Sequence, residues 1–192
     1  MIYLASKSPR RQELLRQIGV QFEQLAVDID ETKRGNETPQ QYVVRMAIEK
    51  AAAGRTTASK PLAVLSADTS VVLDEDCLGK PDDEKHACQM LRRLSGREHK
   101  VMSAVAVDYN NQVVARLSTT VVMFKPLSDE EISSYWCTGE PVDKAGSYAI
   151  QGKAAAFIER ISGSYSGVVG LPLFETEQLL RELGLASAYS VE

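Results

Sequence analysis

Two long strand-like stretches, Val101–Tyr109 and Val113–Phe124, stand on either side of Asn110-Asn111. Asparagine tolerates the left-handed backbone that a tight hairpin turn requires, so the middle of the chain is committed to an antiparallel pair of strands. Around that hairpin, short strands and helices alternate. Met1–Ala5 reads as a strand, Pro9–Ile18 as a helix stopped by Gly19, and Phe22–Val27 as a second strand. Thr38-Pro39 opens a long helix to about Ala53, with Gly54 behind it. Leu62–Ser66 is a short apolar strand ending at Asp68-Thr69, and Val71–Leu73 continues extended. Asp82 or Asp83 starts a helix that places Ala87, Met90, Leu91 and Leu94 on one face before Gly96 stops it. Ser128-Asp129-Glu130-Glu131 has the form of a capping box for a helix to about Cys137. Ala155–Ile161 reads as a strand, and Leu171-Pro172 opens a last helix that Gly184 ends, with the residues to Glu192 expected to fray. This mixture predicts an α/β fold with a mixed sheet. The long hairpin is expected to form a lobe beside the terminal elements, with a cleft between the two.

A chain of 192 residues fits one domain or two closely joined lobes. A formal net charge of −4 argues against general attraction to nucleic acid or to an anionic membrane, so any anion site must be a local basic cluster suited to a small ligand. No apolar run is long enough to span a bilayer, and Lys7 with the two arginines after it interrupts any signal-peptide core. Cys77, Cys88 and Cys137 are odd in number and far apart, as expected of reduced thiols in a cytosol. With two histidines in the chain, a structural zinc site is not expected.

The first helix begins with the wrong charge. Ser8 suits the N-cap and Pro9 the first helical position, which puts Arg10 and Arg11 in the first turn, with Lys7 just before it. Each cation there opposes the helix dipole at a cost of about 0.3–1 kcal/mol. A bound phosphate reverses that cost, because free N–H groups and cations then share one anion; a solvated basic turn paired with surface carboxylates is the alternative. Asp68, at the expected end of a strand, is suited to holding Mg²⁺ or to taking a proton from water, and equally to capping a turn. Asp28, Asp30 and Glu31 form either a solvated acidic loop or carboxylates gathered round a hard cation. Gly79 and Pro81 constrain the backbone on either side of Lys80, and Lys50 lies near the end of its helix. In the stretch Asp143–Gly152, glycines and small residues permit close approach to a flat ligand, and the Gln151 amide offers both a donor and an acceptor to a base edge.

Taken in order, Ser6-Lys7-Ser8-Pro9-Arg10-Arg11, Asp30-Glu31, Glu49-Lys50-Ala51, Ala67-Asp68-Thr69, Gly79-Lys80-Pro81, Leu94-Ser95-Gly96, Asp143-Lys144-Ala145-Gly146 and Val169-Gly170-Leu171-Pro172 resemble the Maf family of septum-formation-inhibitor-like nucleoside triphosphate pyrophosphatases. The matches run from residue 3 to about 184, and their combination is highly specific. The resemblance implies a single domain over 1–192: an elongated mixed sheet flanked by helices, with two lobes about a central cleft, like that of inosine triphosphate pyrophosphatases. It also implies a homodimer, a divalent metal (Mg²⁺ or Mn²⁺) and a cytoplasmic setting.

Within that family the chain is similar to the branch that hydrolyses dTTP and UTP to the monophosphate and pyrophosphate, on account of Arg10, Thr69 and Gln151; the branch acting on 7-methyl-GTP typically carries Trp where Arg10 stands. Asp68 matches the family's proton acceptor, and Ser6, Arg11, Glu31, Lys50 and Lys80 match residues of its active site. The expected roles are triphosphate binding by Arg10, Arg11, Lys50 and Lys80, metal binding by Glu31 with Asp68, and base reading by Thr69 and Gln151. Lys7 and Ser66 depart from the commoner small residue and glycine, and both are expected beside the site. Two rival readings are another nucleotide substrate, such as 7-methyl-GTP, and a nucleotide-binding regulator that restrains septum formation without turnover.

Overall fold

The computed structural model describes residues 1–185; the expectation of a frayed end falls on residues 186–192, outside the described residues. Seven strands form one mixed sheet: β1 (Ile2–Ala5), β2 (Phe22–Leu25), β3 (Val64–Leu73), β4 (Asp76–Leu78), β5 (Glu98–Tyr109), β6 (Gln112–Phe124) and β7 (Ile158–Ser162), in the order β2-β1-β3-β5-β6-β7 with β4 beside β3. β1 runs parallel to β2 and β3, and the other pairs are antiparallel. The helices are α1 (Pro9–Gln17), α2 (Pro39–Thr57), α3 (Glu84–Leu94), α4 (Asp129–Trp136), α5 (Tyr165–Val169) and α6 (Leu173–Glu182).

The hairpin forms as the asparagines require. Asn110 and Asn111 have φ of 50° and 61°, and twelve residue pairs run in register from Glu98↔Met123 to Tyr109↔Gln112. It is not a lobe by itself. β5 is the middle of the sheet, and the two faces of the sheet take alternate residues of it. On one face α2 packs through Val43, Ala47 and Ala51 onto Val72, Met102, Ala104 and Ala106. The opposite face carries two apolar clusters, one at each end. Leu14, Leu15, Leu179 and Leu180 from α1 and α6 cover Leu65, Ala67, Val105 and Val107. Leu91, Leu94, Ile132 and Tyr135 from α3 and α4 cover Val71, Val101, Val122 and Phe124. Between these clusters the same face is polar. Thr69 and Ser103 are register partners, as are Ser103 and Ser118, and Val169 from α5 packs against both apolar clusters across the belt.

Three expectations are corrected. β3 does not end at Asp68: it is one strand of ten residues because β5 pairs with it from Val64 to Val72. Gly54 does not stop α2, which runs to Thr57; it is a contact residue inside the helix, where a Cβ would meet Val64 Cγ1 at 2.7 Å and Ala5 Cβ at 2.9 Å. The segment from Ala155 begins as a 3₁₀ turn over Lys153–Phe157, and only then becomes β7. The short helix α5, with Gly170 after it at φ 138°, carries no apolar periodicity and was not legible.

His99, 3% exposed, is wedged edge-on against Phe124 and Tyr148, and its Nε2 is 2.8 Å from the Tyr148 hydroxyl. Burial pushes its pKa down to about 4 from 6.5. The imidazole is therefore neutral in the fold, while the unfolded chain takes up a proton below pH 6.5. Its contribution to stability is present above pH 6.5 and is lost as pH falls toward 4. Each unit of separation is worth about 1.4 kcal/mol, so the expected loss is about 3 kcal/mol. Urea unfolding of the wild type and of His99→Gln at pH 7 and pH 4.5 checks this: the variant is expected to show the shallower pH dependence.

Candidate active site

β3 is paired unevenly along one edge. β1 pairs with Val64 and Leu65, β4 pairs with Val71–Leu73, and among the described residues no strand pairs with Ser66–Ser70 on that edge. The C-terminal end of β1 opens into this gap and continues through Ser6 and Lys7 into α1. In this way the gap gives access to both faces of the sheet at once. A cleft of about 1290 Å³ fills it. Every residue expected to bind or react lines that cleft: Ser6, Arg10, Arg11, Glu31, Lys50, Asp68, Thr69, Lys80 and Gln151.

Asp68 points to the α2 face. Lys50 reaches it from α2, with Nζ 2.7 Å from Asp68 Oδ1 and 2.6 Å from Glu31 Oε1. One ammonium therefore holds two carboxylates, and each keeps its second oxygen free of that lysine. The two respond oppositely. Burial pushes the Asp68 carboxyl up, against the pull of Lys50 and Arg11. Glu31 is more exposed; burial works against its charge, but the Lys50 ammonium outweighs it and holds the carboxyl below its ordinary value.

The acidic loop is fixed from below by residues the sequence did not single out. The Tyr42 hydroxyl donates to the Glu31 carbonyl at 3.0 Å. Arg45 donates to both Glu37 oxygens, to Glu49 and to the Thr32 carbonyl, and holds the Glu37 carboxyl down at about 2. Asp30 is exposed and accepts from Thr32 N–H within its own turn, so it shapes the loop while Glu31 faces the cleft.

Thr69 points to the opposite face, into the polar belt. Arg11 lies there with Nε donating to the Gly170 carbonyl at 2.8 Å, Nη1 to Ser6 Oγ at 3.3 Å and Nη2 to Thr69 Oγ1 at 3.4 Å. Thr69 is also 2.9 Å from Ser103 Oγ, which donates to the Gly167 carbonyl at 2.6 Å. The belt thus anchors α5, and α5 presents the carbonyl that aims Arg11. Arg10, beside it, is half-buried; its Nε is buried without a hydrogen-bond partner among the described residues, and burial lowers its pKa. Such a donor favours an anionic ligand over the empty cleft. Lys144 lines the same wall; burial, then the charge of Arg10, lowers its pKa.

Ser8 does occupy the N-cap, but its side chain caps nothing; its own N–H donates to Ser6 Oγ at 3.2 Å. Helix α1 therefore begins without a side-chain acceptor among its cations. Ser66 is not beside the cleft. It is fully buried on the α2 face and donates to the Ala47 carbonyl, whereas Lys7 does line the cleft. Removing Lys50 leaves the buried Asp68 charge uncompensated, a situation a carboxylate escapes by taking a proton. Lys50→Met is therefore expected to move both carboxyl groups upward, Asp68 from a position already raised, and ¹³C titration of the carboxyl carbons checks it.

The Maf-like protein family matches the chain over residues 1–183. A dTTP/UTP pyrophosphatase of Escherichia coli is 53% identical over 179 residues, covering 93% of this chain and 91% of that protein. One of Aromatoleum aromaticum is 52% identical over 196 residues, covering 95% of each. Among solved structures, the Staphylococcus aureus Ham1 protein shares the fold, with a TM-score of 0.52 at 12% identity, covering 95% of this chain and 96% of that one.

Proposed function

The chain belongs to the Maf family, and on that premise we propose that it hydrolyses dTTP and UTP to the nucleoside monophosphate and pyrophosphate, clearing these or modified pyrimidine nucleotides from the nucleotide pool. The observation that carries the reading is that cations and carboxylates share one cleft: Arg10, Arg11 and Lys80 line it together with the Asp68–Lys50–Glu31 group. The relatives' activity and the triad Arg10, Thr69 and Gln151 support the choice of pyrimidine.

In this reading the chemistry is positioning and charge neutralisation. Arg10, Arg11 and Lys80 hold the triphosphate oxygens. Ser6 and the Gly170 carbonyl keep the Arg11 fork aimed. Water attacks phosphorus, its proton passes to the Asp68 oxygen that Lys50 leaves free, and the bond between the α- and β-phosphoryl groups breaks to release pyrophosphate. Burial suits Asp68 to this, since a carboxyl held above its ordinary pKa is the stronger base. Lys50 keeps Asp68 ionised and oriented, while Thr69 and Gln151 face the base.

The donor set fits a hard divalent cation. Mg²⁺ takes one or two protein carboxylates and completes its shell with phosphate oxygens and water; Glu31 would offer the oxygen that Lys50 leaves free, with Asp68 beside it. Among the described residues no three His, Cys, Asp or Glu side chains gather to hold a metal alone, which suits an ion, Mg²⁺ or Mn²⁺, that arrives with the nucleotide. When bound, such an ion would neutralise phosphate charge and acidify the attacking water. We further propose a homodimer in the cytoplasm; the exposed Tyr165 and Phe174 offer apolar surface to a second copy, and no described helix is long and apolar enough to cross a membrane.

A pyrophosphate-release assay across nucleoside triphosphates tests the function. The wild type is expected to prefer dTTP and UTP; Asp68→Asn, folded by circular dichroism, is expected to lose about 10²–10⁴-fold in kcat. Retention of more than half the turnover would remove Asp68 from its role. Excess EDTA is expected to stop hydrolysis and added Mg²⁺ or Mn²⁺ to restore it, with Glu31→Gln needing more metal for half-maximal rate.

A further inference from the structure

Gln151 presents its amide to the cleft from an exposed position, so its aim is set by the backbone beneath it. That backbone is held by two side chains from outside the turn. Ala149 N–H donates to the Tyr135 hydroxyl oxygen at 3.2 Å. Lys153 N–H donates to Glu140 Oε2 at 2.9 Å, and Ala154 N–H to Glu140 Oε1 at 3.3 Å. The Tyr135 hydroxyl donates to Glu140 Oε1 at 2.7 Å, which joins the two clamps into one. The backbone two residues before Gln151, at Ala149, and two and three residues after it, at Lys153 and Ala154, is therefore tied to a single Tyr–Glu pair. Gly152 completes the fit: a Cβ there would meet the Glu140 carboxylate at 2.3 Å. Tyr135 is itself fixed, 3% exposed and edge-on to Phe157 with ring centroids 5.1 Å apart.

The charge on Glu140 is the second observation. Its carboxylate lines the same cleft as Arg10, Lys80 and Lys144, where a polyanionic substrate would be repelled by it. Burial works against that charge too, yet the Lys153 and Ala154 N–H groups and the Tyr135 hydroxyl outweigh it and hold the carboxyl below its ordinary value. An anion kept at that location is explained by what it holds.

We propose that Glu140, seated by Tyr135, is a positioning residue for base recognition, fixing the turn Ala149–Gly152 so that the Gln151 amide meets the pyrimidine edge. The inference rests on the dTTP/UTP reading of the cleft. The Glu140 carboxylate is hydrogen-bonded to Tyr135 and to the Lys153 and Ala154 N–H groups, and not to Asp68, Arg10, Arg11 or Lys80, so its loss acts on base selection and leaves the chemistry in place.

Steady-state kinetics of the wild type, Glu140→Gln, Tyr135→Phe and Gly152→Ala test this, with dTTP, UTP and dGTP as substrates and inorganic pyrophosphate as the competing inhibitor. Loss of one aimed hydrogen bond to the base predicts a rise in KM for dTTP and UTP of about three- to tenfold. Expected alongside it are an unchanged kcat, an unchanged inhibition constant for pyrophosphate and a matching fall in preference over dGTP. Because the clamp is one unit, the Tyr135→Phe/Glu140→Gln double variant is expected to lose no more than the worse single variant. Gly152→Ala pushes the carboxylate away without touching Tyr135 or Glu140, so it reads the same clamp from its other side. A wild type that prefers dTTP and UTP, with variants that keep that preference, would overturn the role of Glu140 alone. So would a fall in kcat and in pyrophosphate affinity in step with the rise in KM, which marks general damage. A wild type indifferent to the base would overturn both this inference and the reading it rests on.

Discussion

Strand β3 is the constraint on which the rest of the molecule depends. Its β5 edge is paired without a break from Val64 to Val72, which makes it rigid, while its other edge is shared between β1 and β4 with Ser66–Ser70 left between them. A rigid strand with a gap beside it delivers alternate side chains to opposite faces of the sheet at one place. Asp68 reaches the α2 side and Thr69 the α1 and α5 side, so two chemically distinct half-sites meet across the thickness of one strand. The polar belt of Thr69, Ser103 and Ser118 follows from the same arrangement, since apolar packing there would close the cleft.

Within the gap, charge is distributed sparingly. Burying a carboxylate without a partner is costly, and one ammonium serves both Asp68 and Glu31. Burial outweighs the pull of Lys50 and Arg11 at Asp68, whose carboxyl stays raised, whereas at the more exposed Glu31 burial is outweighed by the neighbouring cations and the carboxyl is lowered. Arg11 is handled differently: its fork is occupied by a carbonyl and two hydroxyls, neutral acceptors that orient it without neutralising it. Its positive charge remains available to an anion. The contrast sets carboxylates bonded directly to an ammonium beside a guanidinium bonded only to neutral acceptors.

Local signals in the sequence carried what depends on local physics. The Asn110-Asn111 turn, the helix start at Thr38-Pro39, the capping box at Ser128 and the apolar face of α3 are decided within a few residues, and each is present. All nine candidate site residues line one cleft, although Asp68 and Thr69 lie in the middle of β3 and Lys50 lies inside α2. What was misread depends on distant partners. The continuation of β3 past Asp68 is imposed by pairing with β5, and no property of Ser66-Ala67-Asp68 announces it. Gly54 has the look of a helix stop, and only the approach of Val64 and Ala5 explains its place inside α2. Tyr42, Arg45, Ser103 and Glu140 support the site through contacts with segments far along the chain or with bare backbone groups.

The clamp that Arg45 and Tyr42 place on the acidic loop has a thermodynamic consequence for ligand capture. Ordering a free backbone takes about 1–2 kcal/mol per residue, and a loop that closed only over its ligand would draw that sum from the affinity. Here the loop from Thr32 to Glu37 is already tied to α2, with Glu31 standing on the Tyr42 hydroxyl. The entropy is spent at folding, once, and an arriving ligand meets an acidic wall that is preorganised.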